Sequence, residues 1–165
     1  MAAAANRYGI KIDKGYSFSF TVEMVVTASG TASIAAGTPT KMSSATAVAM
    51  VDGNGTTSES FTGIAKDTST ETASVNGVVQ LWAPVPGMTY RAGALVSTAA
   101  TTQAKIDALA YKRVVFDLTS SVWTVDSAAA DAVTKCVVIV GGNPLTNELS
   151  FIYATSGTVW GNPTT

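Results

Sequence analysis

Histidine, the side chain that most often serves as a general base or a metal ligand, does not occur in this chain of 165 residues. Its absence excludes every Ser-His-Asp and Cys-His arrangement for nucleophilic catalysis. The chain has one cysteine, Cys136, so neither a disulfide within the chain nor a structural zinc site can form. Because Cys136 opens the apolar run 136–140, we predict a buried core thiol there.

The eleven acidic residues are the remaining candidates for acid–base catalysis. Two pairs lie close together in the sequence and beside turns, Asp67 with Glu71 and Asp126 with Asp131. Glycoside hydrolysis needs two carboxylates at a set separation in a cleft, whereas acidic residues at turns are usually solvated. We therefore expect no catalytic site and predict that the protein is not an enzyme.

Two glycine-containing loops match ligand-binding motifs only in part. Asp52-Gly53-Asn54-Gly55 begins like a calcium loop, but Thr56 and Gly63 stand where the EF-hand pattern requires a ligand at position 5 and a glutamate at position 12. Gly141-Gly142-Asn143 lacks the Lys-Ser/Thr pair of a phosphate loop. We predict a hairpin turn for the first loop and expect no metal, nucleotide or other cofactor.

Three tryptophans, Trp82, Trp123 and Trp160, are the candidates for a stacking platform that binds sugar or nucleic acid. They lie far apart in the sequence, each beside aliphatic residues of a predicted strand. Large aromatic side chains are also enriched at subunit interfaces. We therefore predict that these three side chains pack in a core or at a subunit interface.

The composition limits the classes of partner. Only 13% of the residues are charged, compared with about 25% in average domains, and a net charge of −1 gives no basic field for nucleic acid. No apolar stretch approaches the length of a membrane span, and the first residues do not match a signal peptide. A surface so poor in charge favours a protein that rests against other subunits.

Alternating apolar residues and closely spaced turn residues predict an all-β fold, a small barrel or sandwich with one or two short helices. The clearest alternation runs from Tyr16 to Val26. Further strands are predicted over 47–51, 61–65, 74–82, 114–118, 122–125, 136–140, 149–153 and 158–160, with Gly77 marking a bulge or tight turn. A helix is predicted over 102–111 with Thr102 as its N-cap, and one or two further helical turns over 127–133.

Residues 1–15 are predicted to form an N-terminal arm that precedes a β-rich domain over 16–165. An extended arm can add a strand to a partner's sheet, where main-chain hydrogen bonds give affinity. Its basic residues can pair with acidic groups, at about 0–1 kcal/mol for each exposed pair. The alternative is a disordered terminus. The candidate binding residues are Arg7, Tyr8, Ile10, Lys11, Ile12 and Lys14.

Residues 36–95 carry an ordered series of turn motifs. These are Ala36-Gly37-Thr38-Pro39-Thr40, Val48-Ala49-Met50-Val51-Asp52-Gly53, Phe61-Thr62-Gly63-Ile64-Ala65, Ser74-Val75-Asn76-Gly77-Val78-Val79 and Tyr90-Arg91-Ala92-Gly93-Ala94-Leu95. The series resembles the lambda-type head decoration proteins and the related capsid-cement proteins of tailed phages. The glycines are expected to permit positive φ or close backbone approach in the turns of a small barrel.

The resemblance implies a β-rich module on the outside of an icosahedral capsid, usually a trimer, whose N-terminal arm adds to the sheet of the capsid subunit. We therefore expect a structural virion protein that binds the phage major capsid protein and itself, as a homotrimer, and binds no nucleic acid or membrane. Its expected location is the capsid exterior, after assembly in the host cytoplasm. Residues 96–165 lie outside the resemblance and leave room for an additional hairpin lobe.

Other classes of protein fit part of the same pattern. A tail-tube or head-fibre subunit is also β-rich and charge-poor. A tail-tube protein would use the hairpin over 114–125 for stacking between rings and the helix over 102–111 for packing on the barrel. A carbohydrate-binding adhesion domain would instead expose coplanar aromatic side chains. Oligomeric state separates a closed cement trimer from the rings or filaments of tube subunits.

Overall fold

The computed structural model describes residues 10–14, 21–28, 34–43, 46–49, 61–84, 88–131, 135 and 137–154. Within this part of the chain lie eleven strands and one helix. Their bounds are β1 Lys11–Lys14, β2 Thr21–Val26, β3 Pro39–Ser43, β4 Thr46–Ala49, β5 Phe61–Ala65, β6 Gly77–Trp82, β7 Thr89–Ala94, α1 Gln103–Leu109, β8 Arg113–Thr119, β9 Val122–Asp126, β10 Val137–Asn143 and β11 Glu148–Tyr153. The all-β prediction is thereby confirmed.

The first sheet closes into a barrel. Its strands follow the order β1-β7-β11-β10-β8-β9, and β9 returns to pair in parallel with β7 through Gly93↔Thr124 and Ala94↔Val125. Strands β7, β11, β10, β8 and β9 therefore form a ring. Strand β1 pairs with β7 nearer to the start of that strand, with Lys11 opposite Arg91.

The barrel interior is filled by alternate side chains of its strands, as the period of two in a β-strand requires. In β7, for example, Tyr90, Ala92 and Ala94 are buried while the residues between them are half-buried. Small side chains on this strand leave room for the large ones on its neighbours. Among the described residues, the fully buried large side chains of the barrel core are Ile10, Ile64, Tyr90, Ile106, Val114, Phe116, Ile139, Leu149 and Phe151.

Helix α1 packs against the barrel at β10. Thr102 caps it, since its side-chain oxygen accepts a hydrogen bond from Lys105 N at 3.3 Å, and Ile106 is buried in the barrel core. A Cβ on Gly142 would meet Glu148 O at 2.5 Å and Ile106 Cδ1 at 3.2 Å. Glycine at position 142 therefore lets the helix approach β10.

The second sheet is antiparallel, in the order β2-β6-β5-β3-β4. Its own small core consists of Val26, Ile34, Ala47, Ala65, Val79 and Leu81. Two of its residues also contact the barrel. Ile64 of β5 belongs to the barrel core, and Trp82 of β6 packs against that core. The two sheets thus share packing.

Several sequence predictions are confirmed in detail. Strand 61–65 has the predicted bounds, and in β2 the residues Val22, Met24 and Val26 share the more buried face. The predicted helix is α1 with Thr102 as N-cap. Residues 15–20, the loop at 52–55, Cys136 and the predicted strand at 158–160 lie outside the described residues.

Other predictions differ from the structure. Strands β3 and β7 were not predicted, although β7 is central to the barrel. Within 127–131, the described part of the second predicted helix, the chain forms a turn in which Asp126 Oδ1 accepts hydrogen bonds from Ala128 N and Ala129 N. An aspartate that bonds the backbone two and three residues ahead favours a turn over a helix.

The glycines of the motif series play different roles. Gly37 has φ 82°, the left-handed region that glycine tolerates best. A Cβ on Gly63 would meet Trp82 O at 2.5 Å, and one on Gly77 would meet Glu71 N at 2.1 Å. Gly77 begins β6 and marks a close approach of two backbone segments. A Cβ on Gly93 would meet Thr124 Cγ2 at 3.9 Å, an ordinary contact distance, so the structure gives no steric reason for glycine there.

The boundary between the two sheets falls at a different place in the sequence from the end of the motif series. The second sheet is built from strands within residues 21–82, and the barrel from β1 together with strands within 89–153. Strand β7 lies in the motif series, yet its partner strands β9 and β11 come from residues 96–165.

Candidate functional site

The first described residue of the chain lies in the barrel core. Ile10 is 1% exposed and packs in the barrel core. Strand β1 follows directly and pairs with β7, with a register shift between Ile12 and Lys14. Of the six candidate binding residues, Arg7 and Tyr8 lie outside the described residues, Ile10 is a core residue, and Lys11, Ile12 and Lys14 lie in β1.

Strand β1 is an edge strand of the first sheet. Among the described strands it pairs only with β7. The opposite edge of such a strand presents main-chain N–H and C=O groups to which another extended chain can bond. Because Ile10 fixes the start of β1, any contact made by residues 1–9 would be tied to the barrel at this position.

The aromatic side chains of the barrel form one buried cluster. Tyr90 stacks on Phe151 with ring centroids 5.9 Å apart, and Phe116 meets Phe151 edge-on at 5.6 Å. Trp123, which is 4% exposed, packs edge-on against Phe116 at 6.4 Å. These contacts are typical of aromatic packing in a core.

Two of the three tryptophans are therefore placed. Trp123 belongs to the barrel core, and Trp82 is half-buried against it. Trp160 lies outside the described residues. The structure does not bring Trp82 and Trp123 to one exposed, coplanar surface of the kind that binds sugar rings.

Tyr90 is a titratable side chain in the middle of this cluster. Burial raises its pKa well above its usual value near 10. Its hydroxyl donates a hydrogen bond to Ala83 O at 3.0 Å. The side chain therefore stays a neutral phenol at physiological pH and has a structural role.

Three of the four candidate acid–base residues bond to backbone amides beside turns. Asp67 Oδ1 accepts from Gln80 N at 3.2 Å, Asp131 Oδ1 accepts from Arg113 N at 3.0 Å, and Asp126 holds the turn described above. No group of three or more His, Cys, Asp or Glu side chains with metal-binding geometry occurs among the described residues.

Glu71 differs from the expected solvated turn residue. It is half-buried, and its Oε2 is buried without a hydrogen-bond partner. It also lines a cavity beside the second sheet. Sequence reasoning missed this environment because the other residues that line the cavity lie far from Glu71 in the sequence.

Exposed apolar side chains lie near the α1 end of the barrel. Leu145 in the β10–β11 turn is 93% exposed, and Tyr111, which follows α1, is 80% exposed. Val96 is also exposed, and its carbonyl oxygen accepts a hydrogen bond from Asn147 Nδ2 of the same turn at 3.4 Å. On the barrel wall, Arg91 and Glu148 of adjacent strands form an ion pair at 3.5 Å.

No helix in the described part of the chain has the length and apolarity needed to cross a bilayer.

Comparison with models of known families, with curated proteins and with solved structures gives no match for this chain.

Proposed function

We propose that this protein is a structural component of a tailed-phage virion, which binds the outer surface of the capsid and stabilises it as a decoration protein. The observation that carries the proposal is the N-terminal edge strand. Strand β1 is tied to the barrel by Ile10 and by pairing with β7, and its other edge has no partner among the described strands.

Residues 1–9 precede this edge strand, and in the proposed contact they extend it, so that residues 1–14 add to a sheet of the major capsid protein. The main chain would supply the hydrogen bonds, and alternate side chains would set the register. Exposed pairs between Arg7, Lys11 or Lys14 and acidic groups would add little each. Most of the stabilisation would come from buried apolar area and from many copies that bind one capsid.

The motif series over residues 36–95 adds support from a second direction. It is similar to the turn series of the lambda-type head decoration proteins, and three of its glycines have a steric or conformational reason in this fold. A surface poor in charge suits repeated contact with other subunits. We propose a homotrimer on the capsid exterior, in contact with the major capsid protein.

The tail-tube alternative depends on the hairpin β8–β9 and on the helix. In this fold the hairpin is part of the barrel wall, since Phe116 and Trp123 of its two strands are buried. A hairpin with a buried face is less suited to stacking between rings. The carbohydrate-binding alternative lacks an exposed pair of coplanar tryptophans among the described residues.

Co-sedimentation with undecorated, expanded capsids of the phage that encodes the protein tests the proposal. Removal of residues 1–15 would also remove Ile10 and β1, so the sharper variant lacks residues 1–9 only. A matched control lacks residues 1–5 and keeps Arg7 and Tyr8. The thermal unfolding midpoint of each variant shows whether its fold is intact.

We expect the intact protein and the control to pellet with the capsid in stoichiometric amounts, and the variant without residues 1–9 to lose most of its binding. Equal pelleting of all three would keep the decoration role and reject the N-terminal contact. If none pelleted, the decoration role would be rejected. Sedimentation velocity of the free protein would separate a closed trimer from open filaments.

A further inference from the structure

A cavity lies beside the two edge strands of the second sheet, and we call it the seam cavity. Strands β2 and β4 end the order of that sheet, yet some of their Cα atoms approach within 8 Å of each other without pairing. The sheet is therefore rolled towards closure, with a seam between β2 and β4. A strand inserted between β2 and β4 would need about 4.8 Å to each of them. At the narrow part of the seam β2 and β4 are therefore too close together to admit another strand.

The seam cavity has a volume of about 450 Å³. That volume lies within the range of small-molecule sites, which often occupy the mouths of barrels. The residues that line it are Val26, Thr27, Ala28, Ile34, Ser43, Thr46, Ala47, Val48, Ala49 and Glu71.

One wall of the seam cavity is apolar. Val26, Ile34 and Ala47 line it, and all three belong to the small core of the second sheet. The cavity thus continues that core outward. An apolar chain placed here would remove mainly its own hydrophobic surface from water, since these three side chains are at most 6% exposed.

The charged group at the seam cavity is the carboxylate of Glu71. Its Oε2 is buried and accepts no hydrogen bond, which is costly for a carboxylate oxygen. No Lys or Arg occurs among the described residues that line the cavity. A cation that entered the cavity would compensate this charge.

The backbone around Glu71 is held in place. Thr70 N donates to Val78 O at 3.0 Å, and Thr70 Oγ1 accepts from Val78 N at the same distance. Gly77 lies so close to Glu71 N that a Cβ at position 77 would stand 2.1 Å from it. The main chain cannot readily carry the carboxylate away from the cavity.

We propose that the seam cavity is a binding site for an alkylammonium group. A short aliphatic chain would pack against Val26, Ile34 and the half-buried Val48, and the ammonium group would lie beside the Glu71 carboxylate. The source of this chemistry is a free alkylamine or the lysine side chain of another protein. The site is separate from the N-terminal strand that carries the proposed capsid contact.

An NMR titration of the full chain with n-butylammonium at constant ionic strength tests this site. n-Butanol is the uncharged probe of the same chain length. The dissociation constant of so small a ligand is expected to be on the order of 1 mM. We expect saturable shifts of amide resonances in β2, in β4 and near Glu71, with butanol at least tenfold weaker.

The matched variants are Glu71→Gln and Glu23→Gln. Glu23 is an exposed carboxylate on β2 that does not line the cavity. We expect Glu71→Gln to weaken butylammonium binding at least tenfold and to leave the thermal midpoint unchanged or raised, because it removes an uncompensated charge. Glu23→Gln is expected to bind like the natural chain.

A short capped peptide with one central lysine identifies the source. Binding of the peptide at the same amides assigns the site to lysine side chains, and binding of butylammonium alone assigns it to free amines. The proposal is overturned if butylammonium gives no saturable shifts, if butanol binds equally well, or if Glu71→Gln binds unchanged. The comparison of butylammonium with butanol on the natural chain remains decisive even if a variant does not fold.

Discussion

At the scale of single residues, Tyr90 shows how one side chain can serve both packing and polarity in this barrel. Its ring stacks on Phe151 and meets Tyr153 edge-on at 5.2 Å, while its hydroxyl donates to Ala83 O. The hydrogen bond satisfies a polar group that would otherwise be buried alone. Tyr90 thus brings a hydrogen-bonded polar group into a largely apolar cluster.

Replacement of Tyr90 by phenylalanine should lower the free energy of unfolding by about 1–2 kcal/mol at pH 7, because Ala83 O loses its donor. The pH dependence should change as well. Burial raises the folded-state pKa of Tyr90 above its unfolded value near 10. The stability that Tyr90 contributes is therefore fully present below pH 10 and is lost as the pH rises above 10.

Urea unfolding between pH 7 and pH 11 measures both effects. Above pH 10 the stability of the natural chain should fall more steeply than that of Tyr90→Phe, by up to about 1.4 kcal/mol for each pH unit. Other tyrosines titrate in both proteins, so the difference between the two isolates Tyr90. Parallel curves above pH 10 would contradict this assignment.

At the scale of secondary-structure elements, the β8–β9 hairpin has an unfavourable turn. Thr119 pairs with Val122, which leaves Ser120 and Ser121 as a two-residue loop with φ 51° and 63°. Both values are typical of a type I′ turn, whose twist matches that of the strands. Serine carries a Cβ that disfavours this region, whereas Asn-Gly is the preferred pair.

The double substitution Ser120→Asn with Ser121→Gly should therefore stabilise the protein by about 1 kcal/mol, since it relieves the left-handed strain at both positions. The midpoint of guanidinium unfolding measures the change. Ser121→Ala is the matched control, since it removes the hydroxyl but keeps the Cβ, and it should stay within about 0.5 kcal/mol of the natural chain. A double variant with a lower midpoint would show that the serines are not strained.

At the scale of the whole molecule, the barrel and the second sheet are joined through their cores. Ile64 belongs to a strand of the second sheet but is fully buried in the barrel cluster, and its neighbour Ala65 is buried in the small core. Backbone pairing of Ile64 with Trp82 holds the two contact residues side by side. This arrangement favours cooperative unfolding of both sheets.

Ile64→Ala and Leu81→Ala should each destabilise the protein by about 2–5 kcal/mol, because each leaves a cavity at a fully buried site. Ile64 packs in the barrel cluster and Leu81 in the small core. Hydrogen exchange read by mass spectrometry should show that both substitutions reduce the protection of the slowest amides in both sheets.

Independent unfolding of the two sheets would give a different pattern. Leu81→Ala would then release the amides of β2 and β6 alone, and the amides of β10 and β11 would keep their protection. That outcome would contradict a shared core.

Much of the fold follows from local patterns in the sequence. Alternation predicted the inward face of β2, because a strand with one buried face must repeat every two residues. The turn residues between 118 and 122 predicted the hairpin of β8 and β9, and a short apolar run predicted the strand 61–65. Thr102 predicted the start of α1 for an equally local reason, since an N-cap bonds within its own turn. These features need no knowledge of distant residues.

Strand β7 shows where local patterns lose their information. Its inward residues Ala92 and Ala94 are small, and alanine and glycine have weak strand preference. The alternation of Tyr90, Ala92 and Ala94 was the one available signal. Small side chains suit this strand because large aromatic rings from other strands fill the barrel beside them.

The sequence by itself determined the all-β class and the scarcity of catalytic groups, since both depend on residue types and on spacing within short segments. Tertiary structure alone decided the parallel closure of β9 on β7, the burial of Ile10 and the environment of Glu71. Each of these depends on residues that are distant in the chain and meet only when the sheets roll up. Burial and pairing between such segments are properties of packing, and no local period encodes them.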